Sequence, residues 1–124
     1  MRYLVLLKGI QPGTPPPADL MAAIAKLGEE AIRSGALLDT AGLAPSASGG
    51  VRMEVSAGRL SVTDGPFTEA KEMISYALYD VRSRDEAMEW TSRFLELHRD
   101  LWPEWEGSAD VLRVLGSEDF GPPA

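Results

Sequence analysis

Cysteine is absent and histidine occurs once among the 124 residues. The first absence excludes disulfides, thiolate nucleophiles and cysteine-ligated zinc or iron–sulfur centres, and the second leaves too few imidazoles for an all-protein transition-metal site. No cofactor and no metal are expected. Long apolar runs are missing too. Nothing approaches the roughly 18 apolar residues of a membrane span, and the apolar opening from Tyr3 to Leu7 stops at Lys8-Gly9 without the basic leader or small-residue cleavage site of a signal peptide. The expected setting is cytoplasmic, with no membrane partner. Basic residues are outnumbered, 12 against 19 acidic, for a net charge of −7. That balance speaks against affinity built on phosphate neutralisation, so nucleic acid is not an expected partner. There is also no Gly-rich phosphate loop, no hydrolase elbow around a serine and no dinucleotide fingerprint.

What is present is an ordinary globular composition, 44% hydrophobic and 25% charged, which at this length predicts one domain over residues 1–124 with a single core. Charge is uneven along it. Residues 1–63 carry six basic and five acidic groups, whereas 64–124 carry six basic and fourteen acidic. The acidic excess belongs to the second half.

Arg2 to Lys8 is a near-continuous apolar run of strand length and reads as a central strand buried on both faces. Pro12 to Pro17 is a loop, and Pro17 can open a helix. From there Leu20, Ile24, Leu27 and Ala31 recur at helical spacing, Asp19 suits the positive helix end, and Gly35 is placed as a left-handed cap. Gly28 inside this helix suggests either a close approach of helix to sheet or a tolerated imperfection. Ala36 to Leu43 and Val51 to Val55 read as strands, and Ala57-Gly58-Arg59 as the turn to a returning strand, Leu60 to Thr63. Met73 to Val81 is a long internal strand. Ser83 and Glu86 form a capping box for a helix whose inner stripe is Ala87, Trp90, Thr91, Phe94, Leu95 and His98, with Glu89 and Arg93 as a surface pair, ended by Pro103. Asp110 to Leu115 is a last strand, followed by a Gly-Pro tail from about residue 116 to 124.

Strand, helix, strands, helix, strand is the order of a split βαβ unit. It predicts a ferredoxin-like α+β sandwich, a mostly antiparallel sheet with two helices on one face. Two helices cover only one face, so a second copy packed sheet to sheet is the simplest cover for the other, giving a homodimer.

The segment Val62-Thr63-Asp64-Gly65-Pro66-Phe67-Thr68-Glu69-Ala70-Lys71-Glu72 resembles the signature of the DGPF branch of the YCII-related proteins, named for the tetrapeptide at Asp64 to Phe67. Gly42 to Ser46 upstream, Tyr79-Asp80-Val81 and Asp85-Glu86-Ala87 downstream, and Trp105-Glu106-Gly107 with Arg113 are similar to what that family carries in the same order. The resemblance covers residues 2 to about 115. It implies a dimeric α+β barrel of ferredoxin-like subunits from a bacterial source, in a branch largely without assigned activity whose members are often associated with extracytoplasmic-function sigma factors. Related YCII proteins are thought to include enzymes with a His and Asp pair, the His on the first helix. Pro17 to Ser34 contains no His, so that arrangement does not carry over. Ile74-Ser75-Tyr76 also departs from relatives, which often place glycines there.

Asp64 carries two readings. In one it is a general base or ligand anchor, held by the turn of Gly65 and Pro66 at the mouth of a cleft, with Phe67 as an apolar wall and Lys71 or Glu72 close by. In the other it bonds amides of its own turn, Gly65 takes a dihedral closed to other residues, and Phe67 plugs the core. His98 is the proton-transfer candidate at neutral pH, or a packed residue near a helix C-terminus. Tyr76 and Tyr79 face opposite sides of their strand, so one at most enters a given cleft; Tyr76 joins Phe67 and Lys71 as a ligand-binding candidate. Trp90, Trp102 and Trp105 suit an apolar pocket, or the core and a dimer interface, with the interface favoured for Trp102 and Trp105. Glu104, Glu106 and Asp110 lack the spacing of a calcium loop and read as a solvated acidic face.

The functional expectation is a small molecule bound near the Asp64–Phe67 loop, with lyase- or isomerase-like acid/base chemistry through Asp64 and His98. The alternative is a non-catalytic dimeric module that binds a partner protein such as a sigma factor. The first predicts a deep pocket lined by Asp64, Tyr76 or His98, and the second a filled cleft with exposed apolar or acidic surface outside the dimer interface.

Overall fold

Tyr3, Val5, Leu7 and Gly9 alternate with half-buried Leu4, Leu6 and Lys8 along β1 (Arg2–Ile10). In the computed structural model, which describes residues 1–10 and 12–121, this strand lies inside a four-stranded antiparallel sheet of order β2-β5-β1-β6. Its neighbours are β5 (Glu72–Asp80) and β6 (Glu106–Arg113), and β2 (Leu37–Gly42) lies outside β5. The strand is central, as its composition predicts. Only one of its faces is buried, however: among the described residues no layer covers the sheet's other face, so Leu4 and Leu6 stay half-buried.

α1 (Ala18–Arg33) begins after Pro17 and ends at Gly35, whose φ of 81° is the left-handed cap expected of it. The Gly35 and Ala36 amides donate to the Ile32 and Ala31 carbonyls, both at 3.0 Å, which closes the helix end. α2 (Arg84–Leu101) starts at Ser83, whose hydroxyl accepts the Glu86 amide at 3.2 Å. The Glu86 carboxylate reaches one residue further back than a capping box requires, accepting the Arg82 amide at 3.0 Å. Arg93 does not serve Glu89 along its own helix. Its guanidinium bonds Glu30 of α1 and lies over the Trp90 ring, 4.9 Å from the centroid. The two helices are thus tied across their outer edge. Beneath them Tyr3, Val5, Ala31, Leu37, Tyr79 and Ala87 belong to one buried cluster.

β3 (Val51–Ser56) and β4 (Arg59–Asp64) form a hairpin whose strands pair, among the described residues, only with each other, a separate two-stranded ribbon. Ala57 at φ 51° and Gly58 at φ 76° make its turn. β6 starts four residues ahead of the expected Asp110 because Gly107, Ser108 and Ala109 stay in register with Gly9, Lys8 and Leu7. A short 3-10 turn, Ser117–Phe120, follows it. Pro122, Pro123 and Ala124, the end of the expected tail, lie outside the described residues. Among the described residues no helix is long and apolar enough to cross a membrane.

Candidate functional site

Ser46 organises the end of the sheet where the Asp64–Phe67 loop lies. Pro45 to Gly50 folds into tight turns, the Ser48 amide donating to the Pro45 carbonyl at 2.8 Å and the Gly50 amide to the Ser46 carbonyl at 3.0 Å. This turns the Ser46 side chain inward, 6% exposed. Its hydroxyl donates to Glu72 Oε1 at 2.6 Å and accepts the Phe67 amide at 3.0 Å. One buried serine therefore joins the β2–β3 loop, the loop after β4 and the start of β5.

Gly65 is required by proximity rather than by a left-handed dihedral. A Cβ there would overlap the Ser46 carbonyl oxygen and carbon. Its amide donates to the Gly50 carbonyl at 2.8 Å, and its peptide bond to Pro66 is cis. Phe67 is half-buried and is no core plug: it lines the cleft, with the Arg52 guanidinium 4.3 Å from its ring centroid. Arg52 also pairs with Glu69 at 2.5 Å. The guanidinium's hydrogen bond holds the Glu69 carboxyl below its ordinary range.

These residues enclose an open cleft of about 390 Å³. Lys8, Arg52 and Lys71 supply cations, Glu69 and Glu72 carboxylates, and Leu43, Phe67 and Met73 apolar walls. Lys8 pairs with Asp110 at 2.8 Å, while Lys71 has no ion pair among the described residues. With Lys8 and Arg52 paired to Asp110 and Glu69, Lys71 is the cation of the lining that is left without a partner among the described residues.

The family model for the YCII-related domain matches residues 1–102. The chain belongs to the YCII-related family. No curated protein matches it. Among solved structures, an amidase of the hydantoinase/carbamoylase family from Burkholderia phymatum is similar at 20% identity and a TM-score of 0.32, over 93% of this chain and 28% of the amidase. The chain thus spans little more than a quarter of that protein's length, and likeness at this level informs neither fold nor activity. In this YCII-related chain the matched region ends before β6, which nevertheless completes the sheet by pairing with β1 along Tyr3 to Ile10.

The residues singled out from sequence do not form one site. Phe67 and Lys71 line the cleft. Asp64 is exposed at the base of the hairpin opposite Val51, outside the cleft lining, and its carboxylate has no hydrogen bond among the described residues. Tyr76 lies on the open face of the sheet and donates its hydroxyl to Asp39 Oδ2 at 2.7 Å, a bond that raises its pKa. Tyr79, three residues on, is buried beneath the helices, confirming that the two tyrosines face opposite sides. His98 is 5% exposed and sits between the Phe94 and Trp105 rings, centroids 4.7 and 4.5 Å away, with Nδ1 donating to the Phe94 carbonyl at 2.9 Å. Burial lowers its pKa, partly offset by that carbonyl. Trp102 is buried at 4% exposure, a core residue within this chain. Among the described residues no group of three or more His, Cys, Asp or Glu could hold a metal ion. Ser46 and Glu72 are the site residues that sequence reasoning underweighted. The signal was the position of Ser46 at the end of the Gly42–Ser46 segment, which lies with the Asp64–Phe67 segment inside the region that the family model matches.

Proposed function

We propose that this DGPF-type member of the YCII-related family binds a small carboxylate-bearing molecule in the cleft beside the Asp64–Phe67 loop. One observation carries the reading: the cleft of this acidic chain holds the Lys71 ammonium, which has no ion pair among the described residues. Charge of that sign draws small anions from solution, and Phe67 and Met73 offer apolar contact to the remainder of the ligand. Of the two carboxylates that line this cleft, Glu69 is held by Arg52, and Glu72 has no ion pair among the described residues. Lyase- or isomerase-type proton transfer would therefore run through Glu72, with Ser46 orienting it.

Calorimetric titration with a panel of small carboxylic acids tests the reading. A bound acid should lose about tenfold or more in affinity in Lys71→Met, the size of a lost charge-assisted hydrogen bond. No acid bound, or equal affinity in the variant, sinks it.

A second observation supports a dimer as the working form. Leu4, Leu6 and Leu78 are half-buried on the open sheet face, and Leu112 is 49% exposed there. A second copy on that face would remove this surface from water. Leu6→Lys should then give a monomer by light scattering, and a wild-type protein already monomeric at micromolar concentration overturns the dimer. The alternative reading, a cytoplasmic module binding a partner protein such as a sigma factor, draws its support from the hairpin. Met53, Val55, Leu60 and Val62 share one ribbon face and are each more than 60% exposed.

A further inference from the structure

A second space, separate from the cleft, lies between the helices and the sheet. It measures about 90 Å³ and is walled chiefly by apolar side chains, among them Val5, Leu7, Ile24, Leu27 and Phe94. Gly28 of α1 also lines it, and a Cβ added there would meet no atom within 4 Å. This glycine does not bring helix and sheet together; it leaves room where they would otherwise touch. A glycine at a helix interior position costs about 1 kcal/mol relative to alanine, so here destabilisation coincides with open volume.

Five hydroxyl-bearing residues line the same space, and those of Thr40, Tyr76 and Thr91 donate to the Tyr76 carbonyl, Asp39 and the Ala87 carbonyl. Tyr79 is 6% exposed, and neither its hydroxyl nor that of Ser75 has a hydrogen-bond partner among the described residues. Every fully enclosed side-chain nitrogen or oxygen among them is satisfied, so the Tyr79 hydroxyl must open onto free space. Burial raises its pKa, which keeps it a protonated donor throughout the neutral range. An unbonded donor on a residue that lines an apolar space is matched by an acceptor carried on an apolar body.

We propose that this cavity is a binding site for a small uncharged molecule, no larger than a single ring, bearing one carbonyl acceptor that takes the Tyr79 hydroxyl. The ring limit follows from volume: an engineered apolar cavity of about 150 Å³ admits benzene, and this one is smaller but not sealed. No charged group lines it, so its ligand class differs from that of the carboxylate cleft.

Cyclopentanone is the probe, with cyclopentane as its acceptor-free control, titrated into the full chain and followed by ligand-observed NMR. Wild-type protein should bind cyclopentanone saturably at millimolar concentrations. Gly28→Leu, which fills the space, should abolish binding. Tyr79→Phe should weaken cyclopentanone threefold to about tenfold, the range of one neutral hydrogen bond, and leave cyclopentane unchanged. Lys71→Met should bind cyclopentanone like wild type, so failure at this site and failure at the carboxylate cleft are read separately. If Gly28→Leu does not fold, Gly28→Ala replaces it and should lower affinity. The proposal is overturned by the absence of saturable binding, by binding that persists in Gly28→Leu or is as tight in Gly28→Ala as in wild type, or by equal cyclopentanone affinity in wild type and Tyr79→Phe.

Discussion

The space beneath the helices is filled at one end of the sheet and left open at the other, and glycine is responsible at both. At the filled end Gly9 and Gly107 face each other across β1 and β6, and the Trp105 indole lies against both. A Cβ at Gly9 would stand 2.7 Å from the indole and from Ile74, and one at Gly107 would overlap the indole outright. His98 then packs on the other side of Trp105. At the open end a Cβ at Gly28 would meet no atom within 4 Å. Phe94 marks the boundary, stacking on His98 and lining the cavity. The contrast teaches that a glycine in an apolar pattern marks missing side-chain volume, without saying whether a neighbour has taken that volume.

The largest expected effect tests the filled end. Gly107→Ala should destabilise the protein by about 3 kcal/mol, the upper range for overpacking a core, measured by denaturant unfolding. A loss below about 0.5 kcal/mol, the range of an ordinary surface substitution, would mean that Trp105 has other room and would end the contrast. At the open end the sign should reverse. Gly28→Ala restores helix propensity without a clash and should stabilise by about 1 kcal/mol; destabilisation in the same assay would show that the cavity walls are already in contact. The smallest effect concerns His98. Burial lowers its pKa from the ordinary 6.5, so the folded state favours the neutral ring. Its contribution is complete above about pH 6.5 and is lost as pH falls from there toward the lowered folded value. Between pH 8 and 5, thermal unfolding of wild type should fall further than that of His98→Gln. Parallel curves would place the imidazole in contact with water and overturn the close packing of the filled end.

Much of the fold was legible because its signals are local. The alternation in Arg2 to Lys8, the spacing of Leu20, Leu27 and Ala31, the Ser83 cap and the Gly35 terminus each depend on residues within a few positions of one another. The partners of Arg93 were not legible, since Glu30 is distant in sequence and only helix packing brings it near. The independence of the β3–β4 ribbon was hidden for a similar reason: its alternation is that of any half-exposed strand, and nothing local says whether a sheet lies alongside. At the site, Phe67 and Lys71 were identified from one contiguous segment. Ser46 and Glu72 meet across 26 positions through a single hydroxyl. Asp64 drew attention because it leads the tetrapeptide, yet the register of the hairpin sets it opposite Val51 and away from the cleft.

By itself the sequence determined which segments become strands and helices, which family the chain resembles, and which chemistries its missing cysteines and single histidine exclude. Those follow from short-range periodicity and from composition. Tertiary structure alone decided that the expected cleft is two spaces, one charged and one apolar, and which glycine is crowded and which has room for a Cβ. Those outcomes depend on distances between segments far apart in the chain, and local pattern does not encode such distances.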